Sequence, residues 1–316
     1  MRPSNVRQPA DAPGLGADPV SGGGPTVLRM VLGGKLRRLR EARGITREAA
    51  GEAIRGSHSK ISRLELGRTG CRERDLVDLL DLYEVTDPAE RERYLELARQ
   101  ASASGWWARD NDWLPKWFDT YLGLEQAARL IRSYEPRAVP ELLQTPEYAR
   151  ALLTLSHPGE PEEAIERRVA LRMRRQDILA GPRPPQLWMI IEEAALRRRI
   201  GGSTVWRAQL DHVLRVAAQP NVTIQVLADP VGGPALTDGA FTILRFAEAD
   251  LPDIVYLQQL TSALYLDKIA DLDVYYAVLN QLSLLAPSPA HSRRLIEVLR
   301  DGVPPTVDEP VDRPSR

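Results

Sequence analysis

Between Gly44 and Gly67 the chain spaces polar side chains along what must be one side of a short helix: Ser57, His58, Ser59, Ser62 and Arg63. Ile61 and Leu64 fall on the opposite side. Serine and histidine both donate and accept hydrogen bonds, and arginine grips a guanine edge with two parallel N–H bonds. A helix with one apolar side and one side of this chemistry packs on a small domain while lying in a DNA major groove. Lys60 and Arg68 flank that face and suit phosphate oxygens. Thr46 and Arg47 open the preceding helix, whose free N–H groups also suit a phosphate. The expected partner is therefore double-stranded DNA, with Ser57, His58, Ser59, Ser62 and Arg63 on the bases and Thr46, Arg47, Lys60 and Arg68 on the backbone.

Charge supports a polyanionic partner for this part alone. Residues 29–74 carry thirteen Lys or Arg against five acids, a net of +8 in a chain whose formal net charge is −1. A compact basic segment on an acidic body meets a polyanion through one module.

Other chemistry is poorly supplied. Glu192 and Glu193 are adjacent, so on a strand they would face opposite sides and make a poor acid–base pair; a strand end leading into a helix explains them. His157, His212 and His291 lack metal-ligand spacing. No P-loop, Gly-rich dinucleotide fingerprint, Gly-x-Ser-x-Gly elbow or His-Glu-x-x-His occurs. No catalytic residue, metal or cofactor is expected, and the chain is not expected to be an enzyme. Cys71 is the only cysteine, which excludes an intramolecular disulfide and fits a cytoplasmic location. No apolar run approaches the ~18 residues that span a membrane.

The elements that must position the DNA face follow from periodicity. Leu32, Leu36 and Leu39 mark a first helix ending near Gly44. Thr46 caps a second with Ala49, Ala50, Ala53 and Ile54 inward, Gly56 turns the chain, and Ser57 caps the third. Leu76, Leu79, Leu80 and Tyr83 line a fourth. Asp87-Pro88-Ala89-Glu90 opens a fifth. Arg40 lies four residues after Leu36 and Glu65 four after Ile61, so each charge sits on an inner face. The two are expected to meet as a structural ion pair between the first helix and the recognition helix.

Residues 1–28 and 302–316 are expected to be disordered tails, 29–104 the helix-turn-helix domain, and 105–301 an α+β regulatory or partner-binding domain. Ser102 to Gly105 marks the hinge. After it, Trp106, Trp107, Trp113 and Trp117 crowd a short stretch, and Trp106, Trp113 and Trp117 are candidates for a ligand or partner groove. A helix is expected from about Asp119 to Ser133, others at Thr145–Leu153, Glu162–Ala180, Thr204–Ala218, Val274–Leu285 and Ser288–Arg300. Strands are expected at Gln186–Ile191, Val222–Leu227, Ala240–Phe246 and Ile254–Leu260. The fold class is mainly α: a five-helix domain, then an α+β domain with a small sheet.

Residues 32–83, through Gly44-Ile45-Thr46 and Ser57-His58-Ser59-Lys60-Ile61-Ser62-Arg63-Leu64-Glu65-Leu66-Gly67, resemble the Xre-type helix-turn-helix family of phage repressors and Cro proteins. That resemblance implies the Arg40–Glu65 salt bridge. Two positions depart from the pattern: Gly51 replaces the usual alanine, which should weaken the second helix, and Arg55 stands where many members have glycine. Tyr121-Leu122-Gly123-Leu124-Glu125-Gln126, Tyr134-Glu135-Pro136, Val139-Pro140-Glu141-Leu142-Leu143-Gln144-Thr145-Pro146-Glu147-Tyr148, Arg174-Arg175-Gln176, Glu192-Glu193-Ala194-Ala195-Leu196-Arg197-Arg198 and Pro220-Asn221-Val222 are similar to the C-terminal domain of WhiJ-like, antitoxin-like actinobacterial regulators. Glu141 stands where that motif usually has glycine. The resemblance implies a transcriptional regulator that forms a homodimer and senses a ligand or docks a small partner protein. The alternative is an antitoxin-like partner-binding protein whose DNA binding is autoregulatory. Less favoured is a C-terminal domain acting on a small molecule.

Overall fold

The computed structural model describes residues 24–103, 105–110, 112–228, 239–248 and 251–302. The chain divides into two compact units, Met1–Ser104 and Gly105–Arg316.

The first unit holds α1 (Pro25–Ala42), α2 (Arg47–Ala53), α3 (His58–Glu65), α4 (Glu73–Leu82) and α5 (Pro88–Ala101). Side chains set the helix starts. Thr46 Oγ1 accepts from Ala49 N at 3.2 Å, Ser57 Oγ from Lys60 N at 3.3 Å and Asp87 Oδ2 from Glu90 N at 3.0 Å. Leu32, Leu36, Ile61, Leu76, Leu79, Leu80 and Tyr83 form the core, and α1 packs on α3 and α5. The tail expected over residues 1–28 ends earlier. Pro25 starts α1, and Thr26, Val27 and Leu28 are buried. Residues 1–23 and 303–316, where the rest of the tails was expected, lie outside the described residues.

Two glycines permit close approach. A Cβ on Gly33 would lie 2.4 Å from the Leu64 carbonyl oxygen, so α1 rests directly on the backbone of α3. A Cβ on Gly51 would lie 3.0 Å from the Ser57 carbonyl carbon, which accounts for glycine at the α2–α3 crossing. Between those helices Arg55 takes φ +51°, a conformation that suits glycine better.

The second unit is a mixed α+β domain. Its sheet runs β3 (Val222–Leu227), β2 (Gln186–Glu192), β1 (Ala128–Glu135), β4 (Phe241–Phe246), β5 (Ile254–Gln258), β6 (Ala263–Leu266). Strands β1, β2 and β3 are parallel; β4, β5 and β6 each run antiparallel to the preceding neighbour. The parallel strands are joined by α7 (Pro146–Ser156) with α8 (Glu162–Arg175), and by α9 (Glu193–Arg197) with α10 (Gly202–Val216). Parallel neighbours need such long crossovers, most often helical. α6 (Lys116–Ala127) leads into β1, and α11 (Ile269–Leu285) and α12 (Pro289–Asp301) follow β6. On one face Tyr134, Ile190, Phe241, Ile243 and Val255 pack with Leu272, Leu279 and Leu282 of α11.

The helix expected over Asp119–Ser133 is corrected. α6 stops at Ala127, and Ala128 begins the strand pairing with both β2 and β4. β6 was not expected, and β5 stops at Gln258 rather than Leu260.

Candidate nucleic-acid interface

On α3 the apolar stripe turns inward: Ile61 is 1% exposed and Leu64 3%. Ser57, His58, Ser59, Arg63 and Arg68 are exposed, and Ser62 is half-buried. The structure brings these residues onto α3 and its two ends. Thr46 is exposed at the start of α2. Among the described residues neither Arg63 nor Arg68 is paired with a carboxylate.

Two residues expected on phosphates also make ion pairs within the domain. Lys60 Nζ lies 2.6 Å from Asp75 Oδ2 on α4. Arg47 Nε donates to Glu65 Oε2 at 3.0 Å. Lys60 therefore ties α3 to α4, and Arg47 ties α2 to α3, each with part of its side chain still open to solvent.

Glu65 is the centre of this bracing. Its carboxylate is 2% exposed and accepts from Arg40 Nε at 2.5 Å and Nη2 at 3.1 Å. Arg40 also donates to the Ile45 carbonyl at 2.8 Å. Its hydrogen bond to Glu65 raises the guanidinium pKa further above its ordinary value, outweighing burial. One buried carboxylate thus holds α1, the turn after it, α2 and α3 in register.

In the second unit the tryptophans pack. Trp107, Leu114, Leu122 and Leu171 form an apolar cluster with Trp106 and Trp113 against it. Arg174 lies 4.5 Å over the Trp106 ring and Arg168 5.5 Å over Trp113. Trp117 sets its ring edge-on to Phe118. At the expected groove Trp106, Trp113 and Trp117 are half-buried, with arginines over the first two rings.

The residues missed from sequence lie beside it. Arg175, 4% exposed, donates to Glu125 through Nε and Nη2, both at 2.8 Å, and to Glu141 through Nη1. Arg172 donates to Glu141 at 2.5 Å and to Gln144 at 2.9 Å. Tyr121 donates to Glu125 at 2.8 Å and stacks on Tyr256 at 4.0 Å. Burial alone would raise Glu141; Arg172 and Arg175 outweigh it and hold the carboxyl down to about 2. Burial, with Glu141 nearby, pushes Glu135 up to about 8 despite Arg137. The available signal was charge in apolar surroundings, as in Leu122-Gly123-Leu124-Glu125 and Pro140-Glu141-Leu142-Leu143.

A cavity of about 390 Å³ opens between α7, α8 and α10, lined by Glu147, Met173, Gln176, Asp211, His212 and Arg215 among others. Burial and Arg215 lower the His212 pKa, and its Nε2 has no hydrogen-bond partner among the described residues. Among these residues no group of His, Cys, Asp and Glu could hold a metal, and no helix is long and apolar enough to cross a membrane.

A family model of a helix-turn-helix domain matches residues 31–94. The first unit is therefore a helix-turn-helix domain, the class of module that lays a helix against DNA. A second model, described as a domain of unknown function (DUF5753), matches residues 118–298, more than half of the chain. The protein belongs to the DUF5753 family. The tryptophan-rich stretch from Trp106 to Trp117 falls between the two matched regions. Comparison with curated proteins and with solved structures gives no match.

Proposed function

We propose that this protein is a sequence-specific transcriptional regulator, acting in the cytoplasm as a homodimer and without catalysis. His58, Ser59, Ser62 and Arg63 read base edges, helped by the start of α3 at Ser57. Arg68 and Thr46 hold the backbone, with the solvent-facing parts of Arg47 and Lys60 contributing less. The second unit senses a small ligand or docks a partner protein, in the manner of the WhiJ-like, antitoxin-like regulators it resembles. The cavity beside His212 supports a sensing role.

One observation carries this reading: α3 exposes His58, Ser59 and Arg63 while burying Ile61, Leu64 and Glu65. One recognition helix reads too few base pairs to find a site in a genome. Two related by a two-fold axis, about one DNA turn apart, read an inverted repeat.

Selection of binding sites from random DNA by the full chain tests the proposal. The expected result is an inverted repeat, and His58→Ala and Arg63→Ala should each relax preference at particular base pairs by about 1–3 kcal/mol. A selection that yields no consensus at low salt, or the same consensus for both variants, removes α3 from its assigned role.

A further inference from the structure

The two edges of the sheet are finished differently. At β3 the edge is covered: α12 packs along it, and Ser292 Oγ accepts from Val226 N at 2.9 Å. At β6 no strand of the described residues pairs on the outer side. The stretch Gln259–Leu266 that forms the hairpin tip and β6 contains no charged residue and no proline. Charges and prolines are two of the devices that keep an edge strand from pairing; of the others, β6 has only its length of four residues. β6 is nonetheless firmly placed. Tyr265 donates to the Trp117 carbonyl at 2.5 Å, and four residue pairs align β6 with β5, from Val255 with Leu266 to Gln258 with Ala263.

Apolar side chains are exposed on this stretch and on the helix that follows it. Leu260 is 101% exposed, Leu264 53%, Ile269 76% and Val274 60%. α11, which carries the last two, has only Asp271 and Asp273 as charged residues. A helix that is apolar nearly all round belongs against something on both sides.

We infer that β6 pairs antiparallel with β6 of a second copy of this chain, about a two-fold axis at Leu264, joining the two sheets. The outward N–H and C=O groups of an edge strand call for an extended partner, and an antiparallel self-pair is isologous, so each copy supplies the same patch. A standard interface takes roughly 800 Å² from each partner, of which about 450 Å² is apolar. At roughly 60–120 Å² of apolar surface for a fully exposed Leu, Ile or Val side chain, Leu260 and Leu264, with Ile269 and Val274 on the helix that follows, supply roughly 170–350 Å². Ala263 and Leu266, half-buried beside them, add to it. This deepens the dimeric reading above by naming its surface, and it rests on that reading only for the need of two recognition helices.

Sedimentation of the full chain at ten to fifty micromolar, combined with cross-linking, tests the pairing. Wild type should be a dimer. Leu264→Lys and Leu260→Arg should weaken dimerisation at least tenfold; Leu260 makes no demand on the fold. Leu264→Cys should form a disulfide-linked dimer on mild oxidation, since facing Cβ atoms across such a pair lie about 5 Å apart; Leu155→Cys, exposed on α7, should not. Cys71 is buried and does not compete. Monomeric wild type, or a dimer that ignores both charge variants and fails to cross-link at 264, overturns the inference. So does a β6 edge occupied only by a different protein. DNA binding is read separately on a single half-site: its loss in wild type would sink the regulatory reading and leave the dimer standing. Its retention in a monomeric Leu264→Lys, with the inverted repeat bound at least tenfold more weakly, separates the two.

Discussion

Each unit is tied together by a buried ion network, and the two are built with opposite polarity. In the first unit a carboxylate is at the centre: Glu65, 2% exposed, receives Arg40 from α1 and Arg47 from α2. In the second a guanidinium is at the centre: Arg175, 4% exposed, is held between Glu125 and Glu141, with Arg172 completing the chain. The outer member of the first network, Arg47, is 34% exposed and stands at the start of α2, close in sequence to the proposed DNA contacts. The second network is covered at its centre by rings: Phe118 and Tyr121 lie 5.3 and 5.4 Å from the Arg175 guanidinium carbon, and the outer member, Glu141, is 31% exposed. A network with an open member can exchange a partner for a phosphate. The second network, covered at its cation by aromatic faces, holds together α6, the Glu141–Leu143 turn and α8.

The largest effect should come from opening the covered network. Arg175→Ala leaves Glu125, 2% exposed, without its main partner, and removes one of two cations from Glu141. Breaking a buried pair from one side costs about 3–5 kcal/mol. Chemical denaturation of the full chain, with hydrogen exchange to locate the loss, should place it in the second unit. A loss under ~1 kcal/mol would mean that water reaches the network and the contrast is false.

How far each network was visible in the sequence follows from its geometry. Arg40 and Glu65 each stand four residues beyond an apolar stripe residue, so helical spacing alone turns both inward. Glu125, Glu141 and Arg175 come from three elements, Arg175 lying 50 and 34 residues from its partners, and no local period relates them. The same limit hid β1. Arg129 and Arg132 look wrong for a central strand, and Leu124, Ala128 and Ile131 continue the helical spacing of α6. In the fold, Arg132 lies 4.9 Å over the Trp188 ring, which is how a cation is tolerated there. The early start of α1 was masked by Gly22-Gly23-Gly24-Pro25, which continue the Gly- and Pro-rich run before it; Gly33, inside the helix, lets α3 approach. The face of α3 was legible because one helix carries all of it. The commitment of Lys60 to Asp75 was not, because it depends on where α4 lies.

A smaller effect is expected from Glu65→Ala. It leaves Arg40 8% exposed and unpaired with Glu65, but the guanidinium keeps the Ile45 carbonyl and Glu41 at 3.3 Å. A loss of about 2–3 kcal/mol follows, and freeing Arg47 should leave nonspecific DNA binding intact or stronger at low salt. Denaturant midpoints and binding isotherms on one preparation check both. A loss equal to that of Arg175→Ala would erase the distinction between the open and the covered network.

The finest test is a proton. Glu135 ends β1, and burial beside Glu141 pushes its carboxyl from an ordinary 4.5 up to about 8. The unfolded chain releases this proton near 4.5 and the folded chain near 8, so between those values the folded state holds the extra proton. Stability from this group is therefore full below about pH 4.5 and declines as pH rises through 8. Glu135→Gln cannot ionise and should remove that decline. Its melting temperature relative to wild type should rise steadily from pH 5 to pH 8, by a few degrees in all. The first unit should show no such trend, since the substitution lies wholly in the second. Parallel melting curves for variant and wild type across that range would mean that Glu135 ionises as freely as a surface carboxylate, and that the second network is as open to water as the first.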